Sequence, residues 1–139
     1  MNKALIRLLI EEQHSIVVQN TEGHLHCFDG PGVSDLNHLL HSSPELLQGA
    51  AVADKVVGKA AAALLILSSV GEVYANVISQ PALALLEVHN ICTTYGILVP
   101  YIVNRTQTGM CPLETRCIPC HTPEECLAEI QAFIASMKH

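Results

Sequence analysis

Ala53-Asp54-Lys55-Val56-Val57-Gly58-Lys59-Ala60-Ala61-Ala62-Ala63-Leu64-Leu65-Ile66-Leu67-Ser68-Ser69 is the segment whose reading decides the fold. From Ala60 to Leu67 no residue carries a polar side chain. A helix apolar on every face is a buried one. Spanning a bilayer takes about 20 apolar residues, so this run is too short to cross one. The segment therefore predicts a central helix packed between other layers. Asp54 suits its N-cap, where a carboxylate accepts free backbone N–H groups and meets the positive end of the helix dipole. Lys55 and Lys59, four residues apart, then share one helix face. Gly58 lies between them at a cost of about 1 kcal/mol in helix stability against alanine. Two lysines and a glycine at the only polar end of a buried helix predict an anion or carbonyl pocket. The plainer alternative keeps Lys55 on the surface, lets Lys59 snorkel and uses Gly58 for close packing.

The rest of the chain fits around that helix. Asn2 caps a first helix to about residue 13, with Leu5, Leu8 and Leu9 on one side. Residues 15–19 and 24–28 are short β runs joined by the turn Thr21-Glu22-Gly23, which is a hairpin. His24 and His26 share one of its faces. Asp29-Gly30-Pro31-Gly32 breaks the second strand, Ser34 caps a short helix, and Pro44–Leu47 adds another turn. Residues 72–79 read as a strand, and Pro81 opens a helix to about Tyr95 that encloses Cys92. The apolar run 97–103 reads as a central strand covered on both faces. Thr108-Gly109-Met110 turns into a short helix over 111–116. Thr122-Pro123-Glu124-Glu125 opens a final amphipathic helix to about Met137. The order predicts one α/β domain over residues 1–139, a three-layer α/β/α sandwich with a mixed sheet.

Composition narrows the function classes. Half of the 139 residues are hydrophobic but only five are aromatic, so the core is aliphatic. The net charge of −6 comes from 13 acids and 7 bases spread thinly, which argues against a nucleic-acid surface. Arg7 interrupts the apolar N-terminus and Glu11 and Glu12 follow it, unlike a signal peptide. A cytoplasmic location is expected, with the six cysteines as thiols or metal ligands.

Two cysteine segments stand out. In Cys111-Pro112-Leu113-Glu114, Pro112 at N1 puts Cys111 at an N-cap and Glu114 at N3, the capping-box spacing. A thiol there is expected to favour thiolate, which makes Cys111 a candidate nucleophile; a tolerated small residue is the alternative. Cys117-Ile118-Pro119-Cys120-His121, with Cys126 beyond, has the form of a c-type haem attachment sequence. That reading requires export. Cys111, Cys117, Cys120, His121 and Cys126 also suit a soft metal site, with zinc as the obvious candidate, and Cys117 and Cys120 a redox pair, although only one Cys-x-x-Cys knuckle is present. Unligated thiols are the expectation.

Ala53–Ala61 together with Cys111–Glu114 resembles a small bacterial family known as a domain of unknown function, within the cytidine deaminase-like superfamily. The order of hairpin, buried helix, strand, helix and strand carries the wider resemblance, over nearly the whole chain. Zinc deaminases take a metal ligand and a glutamate from the start of the central helix and two cysteines from the next. Residues 54–59 hold no His, Cys or Glu, and Pro81-Ala82-Leu83-Ala84-Leu85 holds no cysteine. The resemblance thus implies that fold without the zinc site, with no metal and no cofactor. Its cleft would be lined by Lys59 and Cys111 as catalytic candidates and by Asp54, Lys55, Gly58 and Glu114 as ligand contacts. The expected function is a small-molecule-binding protein or non-zinc enzyme with an anionic or nucleotide-like ligand. A metal or redox protein on the C-terminal cysteines, and a scaffold with a vestigial cleft, are the alternatives. The partners expected are a small-molecule ligand, no nucleic acid and no membrane, with a homodimer left open.

Overall fold

Gly58 divides the decisive segment into two elements. In the computed structural model, which describes residues 2–30, 33–104 and 109–137, Ala51–Val57 is strand β3 and Lys59–Leu67 is helix α4. The helix expected from residue 53 therefore starts six residues later, and Asp54 is not its cap. The reason lies in neighbours remote in sequence. β3 sits mid-sheet between β1 (Ile16–Gln19) and β4 (Glu72–Ser79), so both its edges are hydrogen-bonded. Val56 and Val57 also favour strand over helix through their branched Cβ. Gly58 is the N-cap in extended conformation.

The sheet has five strands in the order β2-β1-β3-β4-β5, with β2 Leu25–Phe28 and β5 Cys92–Val99. β1 runs antiparallel to β2 and β3, whereas β3, β4 and β5 are parallel, so the sheet is mixed as expected. Helix α1 (Lys3–Glu11), capped by Asn2 Oδ1 accepting from the Ala4 N–H at 2.9 Å, covers one face. Leu5 and Leu9 pack there on Val17 and Ala53. The other face carries α2 (Ser34–Ser42), α3 (Pro44–Leu47), α4, α5 (Gln80–Val88), α6 (Pro112–Cys117) and α7 (Pro123–Ser136). Together these make an α/β fold of five strands and seven helices among the described residues. α4 lies at the centre of the thicker side, and seven consecutive residues from Lys59 to Leu65 are buried. The expectation of a helix apolar all round and buried all round is met.

Three boundaries differ from expectation. α5 ends at Val88, not near Tyr95, because Asn90 takes a left-handed conformation (φ 60°) that stops it. Thr93, Thr94 and Tyr95 then pair with β4, so Cys92 opens a strand and is exposed instead of buried in a helix. The apolar run from Ile97 is not a central strand either. It ends β5, the last strand of the sheet, where Tyr95 and Ile97 are 42% and 57% exposed. Val33, not Ser34, precedes α2, and it offers no side-chain cap. His24 lies outside β2. Pro31, Gly32 and Thr108, assigned to turns from the sequence, lie outside the described residues.

Candidate functional site

The start of α4 is where residues distant in sequence meet. The N-cap Gly58 has no side chain to satisfy the free N–H groups of the first turn, a requirement at any helix start. Glu114, from α6, supplies it: its Oε1 accepts from the Lys59 N–H at 2.8 Å. Its other oxygen accepts from the Ile102 N–H at 2.8 Å, and the residue is 2% exposed. The capping-box role at Cys111 is therefore not what Glu114 does; it caps α4 and leaves the Cys111 side chain without a capping bond. A Cβ on Gly58 would stand 3.2 Å from Glu114 Oε1 and 3.2 Å from Ile102 Cγ1. A side chain there would have to push the carboxylate or Ile102 back by a few tenths of an ångström.

Lys59 points its ammonium to the other end of α6. Nζ donates to the carbonyl oxygens of Ile118, at 2.8 Å, and Cys120. A cation at a helix C-terminus meets the negative end of the dipole. Beside it lie three sulfurs. Cys117 and Cys126 are fully buried and Cys120 is partly so. The Cys126 thiol is held below its usual value, first by a hydrogen bond from Cys117 and then, against burial, by Lys59 and a hydrogen bond from Cys120. The Cys117 thiol is pushed up by the same hydrogen bond to Cys126 and by burial, and Cys120 by burial and Cys126. His121 is exposed. Among the described residues no group of three or more His, Cys, Asp or Glu side chains is arranged to hold a metal ion.

Asp54 and Lys55, alternating along β3, face opposite ways. Asp54 is 6% exposed, and burial pushes its carboxyl up to about 8, opposed by the N–H groups of Val56 and Lys55 and reinforced by Asp35. Lys55 lines a hollow of about 300 Å³ with Leu9, Gln13 and Asn76, on the side of α1. The two residues expected to flank Lys59 on one helix face thus lie elsewhere.

A cavity of about 660 Å³ opens between α2, α7 and the start of α6. Its walls are mostly apolar, with Leu113, Phe133, Ile134 and Met137 among them. Arg116, 5.4 Å above the Phe133 ring and 3.5 Å from Glu129, braces α6 against α7. Polar groups gather at one side. Gln131 Nε2 donates to Asn37 Oδ1 at 3.1 Å and lies 3.2 Å from His41 Nε2, while His41 Nδ1 lies 2.8 Å from the Asn37 carbonyl oxygen. His38 and Cys111 complete the wall.

Of the six candidates, Cys111 is on this wall. Gly58, Lys59 and Glu114 are brought together at the α4 start, and Asp54 and Lys55 stand apart. Asn37, His38, His41 and Gln131 did not emerge as a group from the sequence. Asn37 and His41 are four apart on α2, and such a pair on one helix face was the available signal.

A comparison with curated proteins found no match. Among solved structures, the chain is similar to a DUF1893 family protein, TM1506, from Thermotoga maritima. The identity is 26%, with 95% of this chain and 91% of that one covered and a TM-score of 0.83. The family model described as TM1506, a domain of unknown function (DUF1893), matches residues 4–134. Both findings replace the expected placement in the cytidine deaminase-like superfamily, which neither supports. Over residues 4–134, nearly its whole length, the chain belongs to the DUF1893 family.

Proposed function

We propose that this protein binds a small molecule in the cavity between α2, α7 and the start of α6. The observation that carries the reading is the cavity itself: about 660 Å³, apolar walls, and a hydrogen-bonded polar group on one side. Small-molecule sites measure about 300–1,000 Å³ and pair apolar walls with a few placed polar groups. The wall supports a ligand with an apolar body and one polar end that meets Asn37, His41 and Gln131. Among the described residues no lysine or arginine lines it, so the polar contacts to an anionic or nucleotide-like ligand would fall to His38, His41, Asn37 and Gln131. Lys59 is not on the wall. Cys111 is, and there it senses occupancy whether or not any reaction follows.

A thermal-shift screen of metabolites, run on the wild type and on Asn37→Trp, tests the proposal. An indole at position 37 fills part of the cavity and removes the acceptor of Gln131. Compounds that raise the melting temperature of the wild type are expected to leave the variant unmoved. Equal shifts in both proteins would place binding elsewhere.

A further inference from the structure

β5 is the last strand on its side of the sheet, and among the described residues no strand pairs with its outer edge. That edge is eight residues long, Cys92–Val99, and its outward N–H and C=O groups form a row that another extended chain satisfies in step. Such edges are ordinarily guarded by charged side chains, by shortness or by a covering helix or loop. This one has no charge to guard it: from residue 91 to residue 104 there is no Asp, Glu, Lys, Arg or His. The side chains along it are apolar instead, with Tyr95, Ile97, Leu98, Tyr101 and Val103 each between 38% and 57% exposed. The opposite edge of the sheet differs. β2 is only four residues long, carries His26 and runs into Asp29.

We propose that β5 pairs antiparallel with β5 of a second copy of this chain, about a two-fold axis at Gly96, joining two five-stranded sheets into one of ten strands. Charge selects the occupant. The chain carries a net charge of −6, which holds copies apart, and the stretch 91–104 is where two of them meet without like charges. A partner recognised by opposite charge finds nothing to read there. A two-fold contact also demands a self-complementary patch, and β5 supplies one. With the axis at Gly96, Tyr95 stands opposite Ile97 of the second copy, and Thr94 opposite Leu98. Side chains alternate along a strand, so the first pair lies on one face of the joined sheet and the second on the other. An aromatic ring beside a β-branched side chain is a favourable cross-strand pair. Gly96 meets itself at the axis, with no side chain to hold the strands apart. The pairing also closes: β5 on β5 uses up the free edge of both copies, whereas β5 on β2 would repeat into a filament.

The test is the mass of the full chain by sedimentation velocity over a range of concentrations, with two variants. The wild type is expected to be a dimer. Ile97→Lys, whose fold is checked by circular dichroism, is expected to be a monomer, because the axis would bring two ammonium groups into the apolar seam. Position 97 is 57% exposed in the single chain, so lysine there disturbs no core. Thr94→Cys/Leu98→Cys, oxidised with diamide, reads the register independently of that variant. Directly opposite Cα atoms lie about 4.5–5.5 Å apart, within reach of a disulfide. Within one strand the two positions are about 13 Å apart, so a 94–98 link joins two chains. The expected product is a covalent dimer whose 94–98 link is mapped by mass spectrometry and lost on adding dithiothreitol. A monomeric wild type, which would leave the edge to the strand of another protein, overturns the proposal. So would assemblies that grow beyond the dimer, a dimer that survives Ile97→Lys, or the absence of the 94–98 link.

Discussion

Glu114, at the start of α4, and Asp54, within β3, are both buried carboxyl groups, and the protein treats them in opposite ways. Glu114 receives the N–H of Lys59 from α4 and that of Ile102 from the segment after β5, at 2.8 Å apiece, and sits at the positive end of a helix. Asp54 has the N–H groups of its own strand, with Val56 at 3.3 Å, and Asp35 as a neighbouring acid. The first set of partners replaces the hydrogen bonds to water lost on burial. The second does not, and Asp54 keeps its proton up to about 8. Burial alone therefore says little about how well a carboxyl group is satisfied. The donors that reach it decide.

The largest effect that would break this contrast lies at Asp54. Its carboxyl titrates near 3.8 in an unfolded chain and at about 8 when folded, so between those values the folded state holds a proton that the unfolded state releases. Each step upward in pH across that window then favours unfolding. Urea denaturation is expected to show stability that falls between pH 4 and pH 8, with the fall much reduced in Asp54→Asn. A wild-type profile as flat as that of the variant would mean that Asp54 is solvated or paired after all.

Glu114→Ala comes next. It strands the N–H groups of Lys59 and Ile102, at about 1–3 kcal/mol for each unsatisfied donor. A change within about 0.5 kcal/mol, as at an ordinary surface site, would show that the carboxylate does not cap α4. Gly58→Ala should be smaller. The new methyl crowds Glu114 Oε1 and Ile102 Cγ1 at 3.2 Å, an overpacking that costs about 1–3 kcal/mol. In the Glu114→Ala background the part of that cost due to the crowded oxygen should vanish, leaving the Ile102 contact. Additive losses would uncouple the two positions.

Much of the architecture was legible in local pattern, and the site much less so. The apolar run Ala60–Leu67 announced a buried helix because no face of it suits water, and the 15–28 hairpin followed from alternation and a turn. The start of α4 was not legible. Asp54 is a good N-cap in isolation, and what keeps it in a strand is pairing with β1 and β4, on residues far along the chain. Nor could spacing show that Glu114 reaches 55 positions back to cap Lys59. Its N3 position after Cys111 offered a nearer partner that it does not use. The apolar content of Ile97–Leu98 suggested a covered central strand, yet sequence composition carries no information on which strand comes last in a sheet. The cavity is assembled from α2 and α7, whose Asn37 and Gln131 stand 94 residues apart, so none of its polar group looked remarkable locally.

The central claim is that a ligand occupies the cavity walled by Cys111, and the most direct measurement uses the two cysteines that differ in place. Cys111 lies on that wall, while Cys92 is exposed at the far edge of the sheet. Timed iodoacetamide labelling is followed by mass spectrometry, with and without a compound that raises the melting temperature. The compound is expected to slow labelling of Cys111 several-fold and to leave Cys92 unchanged. Unchanged labelling of Cys111 under saturating compound would contradict the assignment.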